Sequence, residues 1–165
     1  MKKLCLIRHA KSDWENETLA DIDRPLNARG YQDALAMAKR MKAAGHVPQA
    51  IVSSTAVRAV TTALIFARLF GLDEKKIVVT PRLYDASEKQ FVDVLKTMSD
   101  AWQTVFVFGH NPTISNVSTA LGGDEVVELP TCGMAVLEVK SDSWKSLEKC
   151  RLLLVDFPKK ADDLS

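Results

Sequence analysis

Cysteine is scarce in this chain, long apolar runs are missing and net charge is nearly zero, and each shortage removes a class of protein. The three cysteines, Cys5, Cys132 and Cys150, are odd in number and lack close spacing. They exclude a disulfide framework and read as reduced, mostly buried thiols, as expected of a cytoplasmic protein. The first apolar run, Leu4-Cys5-Leu6-Ile7, stops at Arg8. It is too short for the core of a signal peptide or for a membrane span, so no membrane partner is expected. A formal net charge of +1 supplies no general field for nucleic acid, and any anion site must be local. No His-Glu-x-x-His, close cysteine pair or dense carboxylate cluster is present, so neither a metal nor a cofactor is expected. A glycine-rich nucleotide loop is absent too, as are internal repeats, low-complexity tracts and linkers.

What remains is an ordinary globular composition, 47% hydrophobic and 26% charged over 165 residues, which predicts one domain spanning 1–165. A chain of this size buries roughly 70% of its unfolded surface without staples. Short β-branched or aromatic runs predict strands near 3–7, 49–52, 76–80 and 104–108. Between them lie helical patterns. Asn27 caps a helix ending at Gly45, with Tyr31, Ala34, Leu35, Ala38 and Met41 along one face. A second runs over about 56–70, burying Val60, Leu64 and Ala67, and a third over 88–98, burying Phe91, Val92 and Leu95. Pro112 opens a fourth, which Gly122-Gly123 ends. Two last strands, Met134–Val139 and Arg151–Phe157, flank a polar connection too short for a crossover helix, so this C-terminal pair is expected to be antiparallel. The fold class is α/β: a three-layer α/β/α sandwich with a mainly parallel sheet. The polar segment 11–25 reads as a loop over the sheet's rim.

Three strand ends carry the chemistry. Arg8-His9-Ala10 follows the first strand, Ser53-Ser54-Thr55-Ala56-Val57-Arg58 leads from the second into its helix, and Gly109-His110-Asn111-Pro112 follows the fourth. Ligands of open α/β sheets bind at that edge. Two arginines and two histidines there suit a phosphoryl group, whose transfer needs charge placement more than covalent work by the protein. A neutral imidazole, here His9, is a competent nucleophile near pH 7. The planar forks of Arg8 and Arg58 match phosphate oxygens, and Arg58 stands where helix amides face an anion. Asn111 either orders its turn or donates to the anion. Ser53 and Ser54 read as helix-capping residues, since no Gly-x-Ser-x-Gly elbow surrounds them. His46, in a helix-to-strand turn at the opposite edge, is expected to be solvated.

The chain resembles the histidine phosphatase superfamily, and within it the SixA-type phosphohistidine phosphatase branch. The resemblance rests on Arg8-His9-Ala10-Lys11-Ser12, Asp23-Arg24-Pro25-Leu26-Asn27-x-Arg29-Gly30, Ser53-Ser54-x-x-x-Arg58-Ala59-x-x-Thr62-Ala63 and Gly109-His110-Asn111-Pro112. It covers nearly the whole chain. It implies a metal-independent phosphatase with a covalent phosphohistidine on His9, His110 as a third donor to the phosphoryl oxygens, and a phosphorylated protein or small phosphorylated molecule as partner. Many relatives place a glutamate in the loop after the third strand; here Arg82-Leu83-Tyr84-Asp85-Ala86 offers Asp85 as the general acid, with Asp21 and Asp23 as alternatives. A phosphoramidate such as phosphohistidine has a leaving nitrogen that can already carry a proton, so weak acid machinery agrees with the SixA-type resemblance. Arg24 either adds a phosphate contact or pairs with Asp21 or Asp23. The alternatives to a phosphohistidine phosphatase are a small phosphomonoesterase or phosphoglycerate-type mutase, and a non-catalytic phosphate-binding or phosphoprotein-docking module.

Overall fold

A computed structural model describes residues 1–123 and 125–158; residues 159–165 of the expected 1–165 span and Asp124 lie outside the described residues. Six strands form one sheet: β1 (Lys2–Arg8), β2 (Ala50–Ser54), β3 (Ile77–Thr80), β4 (Thr104–Gly109), β5 (Met134–Val139) and β6 (Arg151–Asp156). The order across the sheet is β3-β2-β4-β1-β5-β6. Strands β1 to β4 are mutually parallel, β5 runs antiparallel to β1, and β6 antiparallel to β5. The C-terminal pair is therefore antiparallel as expected, and its first strand continues the sheet at the centre.

Helices α1 (Ala28–Ala43), α2 (Val57–Phe70), α3 (Glu88–Lys96) and α4 (Thr113–Leu121) fill the connections. Period-2 alternation along the central strands separates two cores. Leu4, Leu6, Val105 and Val107 face Phe91, Val94, Leu95 and Val117 of α3 and α4. Cys5, Ile7, Phe106 and Phe108 face Ala34, Met37, Ala63 and Phe66 of α1 and α2. All three cysteines are buried free thiols. Among the described residues no helix is long and apolar enough to cross a membrane.

Capping follows the sequence closely. The Asn27 side chain accepts from the Gly30 amide at 2.8 Å, and Ser87 with Gln90 forms a reciprocal capping box on α3. Pro112 is the residue before α4 and not its first residue, behind a cis Asn111–Pro112 bond. Two expected faces are rotated. On α1, Tyr31 and Leu35 are exposed while Gly30 and Met37 are buried. On α2 the buried face centres on Ala59, Thr62, Ala63 and Phe66, with Val60 and Leu64 only half-buried. The rotation has a polar cause: Arg58 and Thr62 are both buried because both have partners at the sheet's rim, which a hydrophobicity pattern does not register.

The connection between β5 and β6 is not merely polar. Trp144, in a helical turn at Trp144–Ser146, is fully buried. Its indole N–H donates to the Trp102 carbonyl, and the buried Lys2 ammonium lies 5.3 Å from its ring centroid.

Candidate active site

Strands β1 and β4 end side by side, with Arg8 paired to Gly109. The chain beyond β1 is then tied down on two sides: the His9 amide donates to the Gly109 carbonyl at 3.1 Å, and the Cys132 amide donates to the His9 carbonyl at 3.0 Å. The His9 and His110 rings consequently meet, with centroids 5.2 Å apart. Nδ1 of His9 lies 2.7 Å from the Ala10 carbonyl oxygen. A carbonyl only accepts, so Nδ1 carries the proton and Nε2 presents its lone pair. Burial pushes the His9 pKa down to about 3; the Ala10 hydrogen bond opposes this, and the charges of His110, Arg58 and Arg8 reinforce it. The imidazole is neutral at physiological pH.

Arg58, in the first turn of α2, is oriented by Asp21. Its Nη1 donates to the Asp21 carbonyl at 2.7 Å and its Nη2 to the Asp21 carboxylate at 3.0 Å. Its Nε is left buried and unpartnered. Arg8 gives Nη1 to the Leu129 carbonyl at 3.1 Å, and its Nε is likewise buried and unpartnered. His110 places Nε2 2.8 Å from the Ser54 hydroxyl, while its Nδ1 has no partner. Burial first, then the Arg58 charge, pushes the His110 pKa down to about 4, with Asp21 opposing. Among the described residues these three nitrogens are the buried side-chain polar atoms without a hydrogen bond. An unsatisfied buried donor costs about 1–3 kcal/mol. The two arginine Nε–H donors and His110 Nδ1, all on residues of the rim that carries His9, suit the oxygen atoms of an anion.

The other predicted residues separate by what they touch. A cleft of about 230 Å³ is lined by Asp21, Arg58, Tyr84, Asp85, His110 and Asn111 together with their neighbours. Asp21 accepts from the Tyr84 hydroxyl at 2.6 Å, from Arg58, and from Arg24 at 3.1 and 3.2 Å. Those partners, the Tyr84 hydroxyl foremost, hold its pKa down to about 2, so it is a fixed anion and a poor proton donor. Asp85 is exposed on the cleft wall with φ of 50°, a left-handed conformation that aspartate tolerates. Asp23 is exposed beside the buried Arg24. Arg24 bonds Asp21 and the Ser12 hydroxyl, and its guanidinium lies 3.3 Å from the Trp14 ring centroid, which makes it an ion-pair residue of the loop. Both ends of the Asn111 amide are engaged, Nδ2 with the Leu129 carbonyl and Oδ1 with the Ser115 hydroxyl, so it orders the turn at the cleft's edge.

Residues 11–25 do form a rim loop, closed at its base by a Ser12–Leu26 bridge. Helix α1 packs so tightly against that base that a Cβ on Gly30 would lie 2.2 Å from the Lys11 carbonyl oxygen. Ser53 and Ser54 are not helix caps: the residue capping α2 is Ala56, and the Ser54 hydroxyl accepts from its amide while meeting His110. His46 is half-buried, with Nδ1 3.1 Å from the Lys3 ammonium, at the opposite edge from the site.

Four participants were given no site role from the sequence. Ser54 meets His110; Tyr84 reaches Asp21 and packs edge-on to His110 with centroids 5.6 Å apart. The Thr62 hydroxyl accepts from the Ala10 amide at 3.0 Å and donates to the Arg58 carbonyl at 2.7 Å, joining the two halves of the site. Burial pushes the Arg8 pKa down and the Glu128 charge opposes it. Ser54 and Thr62 lay in plain view within the Ser53-to-Ala63 motif. Tyr84 and Glu128 had no pattern to mark them.

Comparison with known proteins agrees with this geometry. A family model of the histidine phosphatase superfamily (branch 1) matches residues 4–93. An uncharacterized protein of Mycobacterium leprae is 32% identical over 163 residues, covering 92% of this chain and 98% of the relative. A crystal structure named for the phosphohistidine phosphatase SixA of Agrobacterium tumefaciens is similar with a TM-score of 0.82 and 29% identity, covering 95% of this chain and 98% of that one. A structure of the protein histidine phosphatase SixA complexed with tungstate shares the fold at a TM-score of 0.84 and 18% identity, covering 96% and 99%. With Arg8, His9, Arg58 and His110 gathered at one rim of the expected sandwich, and with more than half its length matched by the family model, the chain belongs to the histidine phosphatase superfamily and resembles the SixA-type structures within it.

Proposed function

We propose that this protein hydrolyses protein phosphohistidine through a covalent phosphoryl intermediate on His9 Nε2. The observation that carries the reading is the set of buried, unpartnered nitrogens on Arg8, Arg58 and His110 at the same rim as a histidine whose Nδ1 faces the Ala10 carbonyl oxygen. In the first step the Nε2 lone pair attacks phosphorus in line. The bond to the leaving ring nitrogen breaks and its electron pair stays on that nitrogen, which leaves as a neutral imidazole because the other ring nitrogen already carries a proton. In the second step water attacks the same phosphorus, the P–Nε2 bond breaks, and the imidazole recovers its lone pair as phosphate forms. Arg8, Arg58 and a Nδ1–H of His110 stabilise the equatorial oxygens in both transition states.

Protein charges cover the roles that a metal would otherwise fill, so turnover without metal is part of the proposal. The carboxylates support a phosphoramidate over an alkyl ester. Asp21 is held as an anion, which leaves the exposed Asp85 on the cleft wall as the one carboxyl group to protonate an alkoxide. The test is a side-by-side assay of a phosphohistidine protein and a panel of phosphomonoesters in chelator. Faster turnover of the phosphohistidine protein is expected. Loss of all turnover in chelator, restored by divalent metal, would overturn the mechanism.

A further inference from the structure

The rim loop covers its buried cation with an exposed ring. Trp14 is 70% exposed and belongs to neither hydrophobic core, yet its ring centroid lies 3.3 Å from the guanidinium carbon of Arg24, which is buried. Arg24 is engaged along its edges as well. Its Nη1 donates to the buried Ser12 hydroxyl at 3.0 Å, and its Nε and Nη2 both donate to Oδ1 of Asp21, at 3.2 and 3.1 Å. The Asp21 carboxylate is thereby divided: Oδ1 receives Arg24, while Oδ2 receives Arg58 Nη2 at 3.0 Å and the Tyr84 hydroxyl at 2.6 Å. The Asp21 side chain is 51% exposed, and an ion pair so placed contributes little unless its geometry is fixed. Ser12, itself held by its bridge to Leu26, fixes the guanidinium of Arg24 at one edge, and the ring of Trp14 closes one of its faces.

We infer that Trp14 is a positioning residue for Arg58: stacked on Arg24, it holds that guanidinium in the plane that pins Asp21, and Asp21 holds Arg58 at the rim. Trp14 touches no reacting atom and acts through Arg24 and Asp21. An indole suits the task because its face attracts a guanidinium and, as a rigid plane, blocks the rocking motion that would take Nε and Nη2 off Oδ1. An aliphatic side chain would shield Arg24 without that attraction. The inference rests on the reading of Arg58 as a donor to the phosphoryl group, and it extends that site to a residue on the outer surface of the rim loop.

The dissociation constant of vanadate, a phosphate mimic, measured by calorimetry on the full chain, reads Arg58 without requiring turnover. Trp14→Ala should weaken vanadate binding about fivefold, the size of an exposed cation–π contact. Trp14→Leu should do the same, whereas Trp14→Phe, which keeps a ring face, should retain most of the affinity. Arg24→Lys keeps the charge but loses the planar fork, and should match Trp14→Ala. In an Arg58→Ala background Trp14→Ala should add nothing, because the two residues act in one chain of contacts. Unchanged affinity in Trp14→Ala, equal loss in Trp14→Leu and Trp14→Phe, or an undiminished effect of Trp14→Ala without Arg58 overturns the inference. The expected pattern in a protein that hydrolyses no phosphohistidine protein overturns the proposed substrate and leaves the bracing of Arg58 intact.

Discussion

Asp21 grips Arg58 at two points, its carbonyl on Nη1 and its carboxylate on Nη2, while Nε of the guanidinium stays buried without a partner. A residue that sequence reasoning offered as a possible acid is thus a clamp. Asp21→Asn should lower kcat/KM about 10²-fold, the cost typical of a charged group misplaced by about 1 Å. The loss should be equal for phosphohistidine and alkyl phosphates, measured side by side. A loss confined to the alkyl phosphates would restore Asp21 as a proton donor.

Rapid quenching during turnover should trap phosphate on His9, stable to alkali and labile to acid, and His9→Ala should abolish it. Arg58→Ala should fail differently. It should weaken phosphate binding and slow both formation and breakdown of the intermediate, by about 10²–10³-fold for the loss of one preorganised donor. Trapped phosphate that maps to a serine would refute the nucleophile.

The acid limb of kcat/KM should lie far below the ordinary imidazole pKa. His9 must be unprotonated to attack, and its folded pKa is pushed down to about 3. Activity should hold as pH falls through 6.5 and fail only towards pH 4 and below, where both histidines begin to charge. Stability behaves otherwise. In the unfolded chain both rings titrate near 6.5, so between that pH and about 4 the unfolded state binds more protons, and stability declines as pH falls. A thermal midpoint followed over this window should drop, and His9→Asn should flatten the drop. An unchanged slope in that variant would show that His9 titrates normally when folded.

Asp85 is the remaining candidate for protonating a poor leaving group. Asp85→Asn should slow an alkyl phosphate about tenfold or more and a phosphohistidine protein much less, because alkoxide departure depends more on proton donation. Equal slowing of both would instead give Asp85 a positional role. No change in either would remove it from the chemistry.

The sandwich and three of the four central site residues were legible because strand and helix periods and strand-end motifs are local signals: Arg8, His9 and His110 directly end apolar runs. Arg58 was legible through its fixed distance from Ser53-Ser54. What stayed hidden depends on contacts far apart in the chain. The burial of Arg58 and Thr62 turns α2 away from its most hydrophobic face, and only the folded rim explains why. Trp144 sat in a stretch that looked polar because one large side chain cannot outweigh its charged neighbours. Asp21, Asp23 and Asp85 were indistinguishable as carboxylates in a sequence. Tyr84, Arg58 and Arg24 converging on Asp21 from different loops are what distinguish it.

The register of β1 against β4 has a consequence beyond architecture. Hydrogen-bonded strands stand about 4.8 Å apart, and the rings carried just past their ends are 5.2 Å apart. The sheet thus serves as a gauge block: the spacing of the two imidazoles is inherited from backbone ladders at the centre of the molecule. The rim loop of residues 11–25, the turn at Tyr84 and Asp85, and the stretch bearing Glu128 all attach outside that gauge. Asp21 apart, they can lengthen, shorten or exchange charges without altering it, so the two imidazoles keep their spacing while the choice of substrate is free to drift.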